Sequence, residues 1–323
     1  MLAQRVPPDE ILIVDDGSTD GTREALAPYQ QQIRYIHQNN QDKSAARNAG
    51  ILAARGEYVA FLDSDDLWEP ERIAVARSAL SAAPPDVVLA FSNFSERLLD
   101  GKLAVGGLEE KSLFPVMKRY GFSIEDAAPQ TVETVREGER LPARIGAMSA
   151  HLFLGNFILT STVTAHRQAL IDSGLFHIAY PFCEDWELFL RLSERGRFLY
   201  IDRRTVQYRH HPEQAIRTLP ALDCKRLIVE TLENHPHARQ AARSAFGELA
   251  NQRLAYACRG LALAHVRVGD ARLARRYLAR ACHAEPQRVL NWMMRILVSL
   301  PPPLLRLALC IGRRAKHLLR PPP

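Results

Sequence analysis

The stretch EYVAFLDSDDLWEPERI, residues 57–73, decides the fold. Its first part, EYVAFLD (57–63), is a short, mostly apolar run of the kind shown by a strand buried in a parallel sheet. Three carboxylates, Asp63, Asp65 and Asp66, follow within four positions. Ligands of α/β sheets bind beyond the carboxyl ends of the strands. Carboxylates crowded there repel one another unless a cation lies among them. Hard oxygen donors suit Mg2+ or Mn2+, which can bridge to a diphosphate. The competing reading is helix capping, because Asp66 and Glu69 have the spacing of a capping box. Capping accounts for one of the three acids and leaves the other two unexplained.

On the N-terminal side, EILIVDD (10–16) and IRYIHQ (33–38) read as strands. A Gly-containing turn and a helix over 23–29 lie between them. SAARNAGILAARG (44–56) reads as a helix closed by Gly56, where a helix C-terminal glycine belongs. On the C-terminal side, 67–83 reads as a helix and DVVLAFSNF (86–94) as a strand. Strands alternating with helices predict an α/β domain with a largely parallel sheet. Residues 95–150 are broken by Gly and Pro and read as a long variable insertion with one or two short helices. Beyond it, FILTSTVTAH (157–166) reads as a strand and EDWELFLRLSERG (184–196) as a helix. RFLYIDRRTVQYRHH (197–211) reads as two short strands or a hairpin.

Two further acidic motifs carry candidate chemistry. In IVDDGSTDGT (13–22), Asp15 and Asp16 end a buried strand and precede a turn. A carboxylate there suits a ribose hydroxyl or a base N–H; the alternative is a tight turn capped by Asp20 or Thr19. In FCEDWELFLRL (182–192), Glu184 and Asp185 open a helix. The helix dipole favours acids at that end, whereas at an active site the same pair supplies a general base. No G-x-G-x-x-G or G-x-x-x-x-G-K-[ST] string occurs, so the dinucleotide and P-loop fingerprints are absent.

Taken together, PPDEILIVDDGSTDGT, SAARNAGILAARGEYVAFLDSDDLWEPERI, GNFILTSTVTAHRQALIDSGLF, CEDWELFLRL and YRHHP resemble the inverting, nucleotide-sugar-dependent family 2 glycosyltransferases in order and spacing, over roughly residues 1–215. The resemblance implies the glycosyltransferase A-type fold, an α/β domain with a Rossmann-like mixed sheet. It implies that Asp15 or Asp16, with Asp15 favoured, holds the base and that Arg47 lies near the diphosphate. It further implies that Asp63 faces the ribose or donor sugar, and that Asp65 ligates Mg2+ or Mn2+ with Asp66 as a secondary candidate. Asp185 would be the catalytic base. His211 would approach the metal or diphosphate, with His210 as its neighbouring competitor. The donor would be a nucleotide-diphosphate sugar and the acceptor a glycan or a lipid-linked molecule, in cell-surface polysaccharide or glycoconjugate synthesis. The Q-x-x-R-W string of processive synthases does not occur, which favours transfer of a single sugar. The family's domain ordinarily opens with a further strand ahead of the point matching Met1. The resemblance therefore implies an N-terminally shortened catalytic domain with exposed sheet edges and weak activity. The reading from another class is a degenerate, non-catalytic nucleotide-sugar-binding or scaffold protein acting through its helical tail.

Charge divides the chain. Its 323 residues carry a formal +6, yet residues 240–323 hold 15 Lys+Arg against Glu248, Asp270 and Glu285, a net of +12 that leaves −6 on the rest. Such asymmetry points to an anionic partner for the basic part. The five cysteines include no C-x-x-C pair, which fits a reducing compartment rather than a disulfide framework. The expected division is a catalytic domain over 1–218, a helical, tetratricopeptide-like cap over 219–288 and an apolar, basic membrane-surface tail over 289–323. The expected location is cytoplasmic, with peripheral attachment at the inner face of the plasma membrane. Nucleic acid is excluded as a partner, because the basic tail is not interleaved with aromatics and the acidic body repels phosphate.

Overall fold

The computed structural model describes residues 1–104, 116–136, 139–212 and 220–300. The chain divides into two compact units, Met1–Thr218 with His235–Ala245, and Leu219–Asn234 with Phe246–Pro323.

The first unit opens with β1 (Leu12–Asp16), α1 (Thr22–Leu26), β2 (Arg34–Gln38) and α2 (Asp42–Ala53). β1 and β2 pair in parallel as a two-stranded sheet, and α2 packs on β1. The chain then forms β3 (Tyr58–Ala60), β4 (Leu67–Trp68), α3 (Arg72–Ser81), β5 (Val87–Arg97) and β6 (Leu103–Ala104). Next come α4 (Val116–Tyr120), α5 (Ile124–Ala127), β7 (Gln130–Arg136), β8 (Glu139–Gly146) and α6 (Ser149–Leu154). The unit continues with β9 (Val163–His166), α7 (Arg167–Asp172), α8 (Glu184–Ser193) and β10 (Arg197–Arg209). The larger sheet runs β3-β9-β5-β10-β8-β7, with β4 joined to β10 and β6 to β5.

That sheet is mixed, as the resemblance implies, and not largely parallel, as the alternation of strands and helices alone predicts. Within it only β5 and β10 pair in parallel, while β3–β9, β9–β5, β10–β8 and β8–β7 are antiparallel. β5 is buried along nearly its whole length because it is hydrogen-bonded on both edges and covered by α3. Val75, Ala79 and Leu80 of α3 pack there with Ala90, Ile145, Leu199 and Ile201 to form the core behind the site.

Three local readings also change. Residues 197–209 form one long strand rather than two short ones: register shifts between Ile201 and Val206 absorb Asp202, Arg203 and Thr205, with Arg204 paired to Asn93 between them and regular pairing resuming at Val206. The strand expected over 157–166 is confined to 163–166. Ahead of it Thr162 folds back on the Leu159 carbonyl through its N–H and its hydroxyl (2.9 and 2.6 Å), making a tight turn. Within 95–150, β7 and β8 form a hairpin that extends the main sheet from β10.

The second unit contains α9 (Ala221–Asn234), α11 (Glu248–Arg267), α12 (Ala271–Ala284) and α13 (Val289–Val298); α10 (Pro236–Phe246) lies almost wholly in the first. α11 and α12 are packed together around the turn at 268–270, with Asp270 accepting from the Leu273 N–H at the start of α12 (2.9 Å). Residues 301–323, most of the expected apolar, basic tail over 289–323, lie outside the described residues.

Candidate active site

The acidic loop follows the carboxyl end of β3. Asp63, Asp65 and Asp66 bring one ligand atom each to within 4.8 Å of one another. Their positions are set by Ser161, a fully buried side chain in the turn before β9. Its Oγ donates to Asp66 Oδ2 (2.6 Å) and accepts from the Asp63 N–H (3.1 Å), and its carbonyl accepts from Trp68 Nε1 (2.9 Å). Arg72, also fully buried, lies 5.3 Å from the Trp68 ring and donates to the Thr162 carbonyl (2.5 Å) and Thr164 Oγ1 (3.0 Å). Burial lowers its pKa to about 9. Burial also pushes the Asp66 carboxyl up to about 7. The Ser161 bond opposes that rise, and the Asp65 and Asp63 charges add to it. The capping alternative for Asp66 is not what the structure shows: α3 begins after Glu71, with no side-chain cap, and Asp66 turns instead to Ser161.

β10 closes the other side. Its antiparallel pairing with β4 (Val206 opposite Trp68) carries the strand's end past the acidic loop. There the Arg209 N–H donates to Asp66 Oδ1 (3.2 Å), and its guanidinium donates to the Asp65 carbonyl. His211 Nε2 lies 3.0 Å from Asp65 Oδ2, whereas His210 is drawn to Glu96 Oε2 at 2.7 Å. Of the two adjacent histidines, His211 is therefore the one at the acidic cluster.

A second group of charges is tied to this cluster by Arg47 on α2. Its Nη2 lies 2.6 Å from Asp63 Oδ1 and its Nη1 2.9 Å from Glu184 Oε1, with Phe176 beneath the guanidinium at 5.3 Å. Burial works against the charged form of Arg47, but the Asp63 and Glu184 carboxylates hold its pKa above the ordinary value. Lys43, one turn earlier, reaches the same Glu184 oxygen at 2.8 Å. Cys183 (φ 64°) sits in the left-handed region immediately before α8. At the start of that helix Asp185 Oδ2 accepts from Thr160 Oγ1 (3.2 Å) and Asn156 Nδ2 (3.3 Å), and Oδ1 from the Trp186 N–H (2.6 Å). Burial, then the Glu184 charge, raises the Asp185 carboxyl to about 6 against the opposing pull of Lys43 and Arg47.

Asp15 and Asp16 lie at the end of β1. Asp15 accepts from the Ser18 N–H at Oδ1 (2.7 Å) and from the Tyr35 hydroxyl at Oδ2, led by the Tyr35 bond in holding its pKa down at about 2. Both its oxygens are thus taken by the protein. Asp16 accepts through Oδ1 alone, from Gln38 Nε2 (2.7 Å) and the Gln41 N–H (2.9 Å). Ser161, Arg72, Lys43 and Arg209 were not singled out from the sequence. Lys43 carries a readable signal, being four residues before Arg47 on one helix face. Ser161 carries none, since a serine in a β-branched run is unremarkable without its long-range partners.

The residues fit a divalent cation. The three carboxylates form a hard oxygen donor set within 4.8 Å, and the borderline imidazole nitrogen of His211 lies beside Asp65 at 3.0 Å.

A mixed α/β sheet with an acidic loop at a strand's carboxyl end, a guanidinium beside it and a buried carboxyl behind is the arrangement of the glycosyltransferase A-type fold. Residues 1–97 match the model of Glycosyl transferase family 2. It is 49% identical over 77 residues to an uncharacterized glycosyltransferase of Nostoc sp., a match covering 23% of this chain and 24% of that protein. It is 44% identical over 77 residues to the putative teichuronic acid biosynthesis glycosyltransferase TuaG of Bacillus subtilis, covering 23% of this chain and 31% of that one. The matched stretches are thus under a third of these relatives' lengths. In fold, the chain is similar to residues 1–349 of S. aureus TarS in complex with UDP: TM-score 0.50, 17% identity, 88% of this chain and 85% of that one.

Proposed function

We propose that the chain transfers a sugar from a nucleotide-diphosphate sugar to a hydroxyl of a glycan or lipid-linked acceptor, with inversion, in cell-surface polysaccharide synthesis. The observation that carries this reading is the Arg47 bridge, which joins the acidic cluster at Asp63 to the Glu184–Asp185 pair at 2.6 and 2.9 Å. It sets an anion-binding guanidinium and a raised carboxyl beside one cluster of metal-type donors. The polysaccharide context draws on the name of the teichuronic acid relative.

Asp185 acts as the base. Held by Thr160, Asn156 and the Trp186 N–H, it takes the proton of the acceptor hydroxyl. The acceptor oxygen then bonds to the anomeric carbon as the bond from that carbon to the phosphate oxygen breaks, and the nucleoside diphosphate leaves with the electron pair. Arg47 orients the diphosphate and Asp63 the ribose or donor sugar. Asp65 and His211, with Asp66 beside them, would hold Mg2+ or Mn2+, which neutralises charge on the leaving diphosphate when bound. Asp16, with one oxygen outside the internal bonding, is better placed than Asp15 to meet the base. Catalysis is assigned to residues 1–218 and a covering role to the helices of 219–288, with the enzyme at the cytoplasmic face of the membrane.

A panel of nucleotide sugars incubated with the chain and Mn2+, read by nucleoside diphosphate release, tests the reading. One donor should stand out and its turnover should vanish in Asp185→Asn. Metal-dependent nucleotide binding with no release from any donor would support a scaffold instead.

A further inference from the structure

α13 is turned the wrong way for a helix that only completes a core. Its inner face is set by a polar pin: Asn291, fully buried, accepts from Arg259 Nη1 (2.8 Å) and donates to the carbonyls of Ala281 (3.1 Å) and Glu285 (3.0 Å). Glu285 Oε2 in turn meets Arg259 at 2.8 Å. Val298 completes this face, packed with Ala262, Ala274 and Leu278, and Met294 lies partly against them. With positions 291, 294 and 298 fixed inward and Leu297 half-buried, five other apolar side chains are exposed. Val289 is 67% exposed, Met293 61% and Ile296 67%, with Leu290 and Trp292 close behind. Arg288 and Arg295 are exposed beside them, and Arg295 lies over the Trp292 ring at 5.6 Å. From residue 286 to the end the sequence contains no Asp or Glu, while Arg306, Arg313, Arg314, Lys316 and Arg320 follow.

We propose that this outward face of α13 docks on the surface of an anionic lipid bilayer, with the apolar side chains entering the headgroup boundary and the arginines meeting lipid phosphates. Charge complementarity selects that occupant. A second copy of the chain would bring Arg288 and Arg295 against like charge in a region of net +12, whereas an anionic leaflet supplies the opposite sign. The ten residues of α13 reach only about 15 Å, half of a bilayer's hydrocarbon thickness, so the helix lies along the surface rather than across it. No helix among the described residues is long and apolar enough to cross a membrane. The inference goes beyond the transfer reaction and needs neither donor nor acceptor.

Co-sedimentation of the full chain with vesicles of phosphatidylcholine, alone or mixed with phosphatidylglycerol, tests it, with tryptophan emission compared between the unaltered chain and Trp292→Phe as a second readout. Binding should require phosphatidylglycerol, weaken with salt and shift tryptophan emission to the blue in the unaltered chain but not in Trp292→Phe. It should fall at least about tenfold in Met293→Glu/Ile296→Glu, and also fall in Arg288→Gln/Arg295→Gln, which leaves the apolar face intact and keeps the test valid should the first variant not fold. Binding unchanged in both variants, or no binding by the unaltered chain, would overturn the proposal. A concentration-dependent dimer abolished by the glutamates, without vesicle binding, would assign the face to a second copy.

Discussion

Replacing Arg47 with alanine removes the positive charge that joins the two carboxylate groups. The Arg47 side chain is 13% exposed, that of Glu184 4% and that of Asp63 34%. Removing one partner of a buried pair costs about 3–5 kcal/mol, because the other charge stays buried without compensation. Two features here favour the lower end. Lys43 still holds Glu184 at 2.8 Å, and Asp63 can regain water. The expected loss is therefore about 3 kcal/mol, or a urea midpoint lower by roughly 1.5 M at a slope of about 2 kcal/mol/M. Arg77→Ala is the control. Its ion pair with Asp9 is as short, at 2.6 Å, but joins side chains 51% and 84% exposed, and it should cost less than about 1 kcal/mol. Glu184→Gln introduced together with Arg47→Ala should recover part of the loss, since the orphaned charge is gone. Equal midpoints for Arg47→Ala and Arg77→Ala, or strict additivity with Glu184→Gln, would refute the claim that buried charge links the two groups.

Ser161→Ala deprives Asp66 of its 2.6 Å donor and the Asp63 N–H of its acceptor. It should lower stability by about 1–3 kcal/mol in urea unfolding and weaken Mn2+ binding measured by calorimetry, and unchanged metal affinity would count against Ser161 as the organiser of the loop. Asp185→Asn should lower turnover by about 10²–10⁴-fold while nucleoside diphosphate affinity stays within about twofold. The raised Asp185 carboxyl must lose its proton to act as base, so turnover should climb with pH up to about 6 and level off above it. A rate flat from pH 4.5 to 7 would exclude Asp185 as the titrating base.

The parts of the site written in the sequence are those with a local cause. Asp63, Asp65 and Asp66 follow a short apolar run, and β-sheet chemistry places such residues at a binding edge. The helical character of 219–288 is equally local, and the structure forms α11 and α12 there around the turn at 268–270. What was hidden depends on distant pairing. Nothing in 197–211 shows that bulges will carry β10 through three polar residues, yet that continuity brings His211 rather than His210 to Asp65. Ser161 lies far from the acidic loop in sequence, and only the turn at 160–162 aims its hydroxyl there. Antiparallel pairing of β9 between β3 and β5 is similarly a property of the assembled sheet. The favoured role for Asp15 came from the family resemblance, and the sequence does not show that the Tyr35 hydroxyl of β2 donates to that carboxylate.

The account rests on the acidic cluster gathering a divalent cation that carries a nucleoside diphosphate. Calorimetric titration of the full chain with UDP and with GDP, in Mn2+ and in EDTA, measures this directly. The account predicts that at least one nucleotide binds in Mn2+, that chelation abolishes the binding, and that Asp65→Asn abolishes it while leaving the fold's thermal transition in place. Nucleotide binding of equal strength in EDTA, or undiminished in Asp65→Asn, would contradict it.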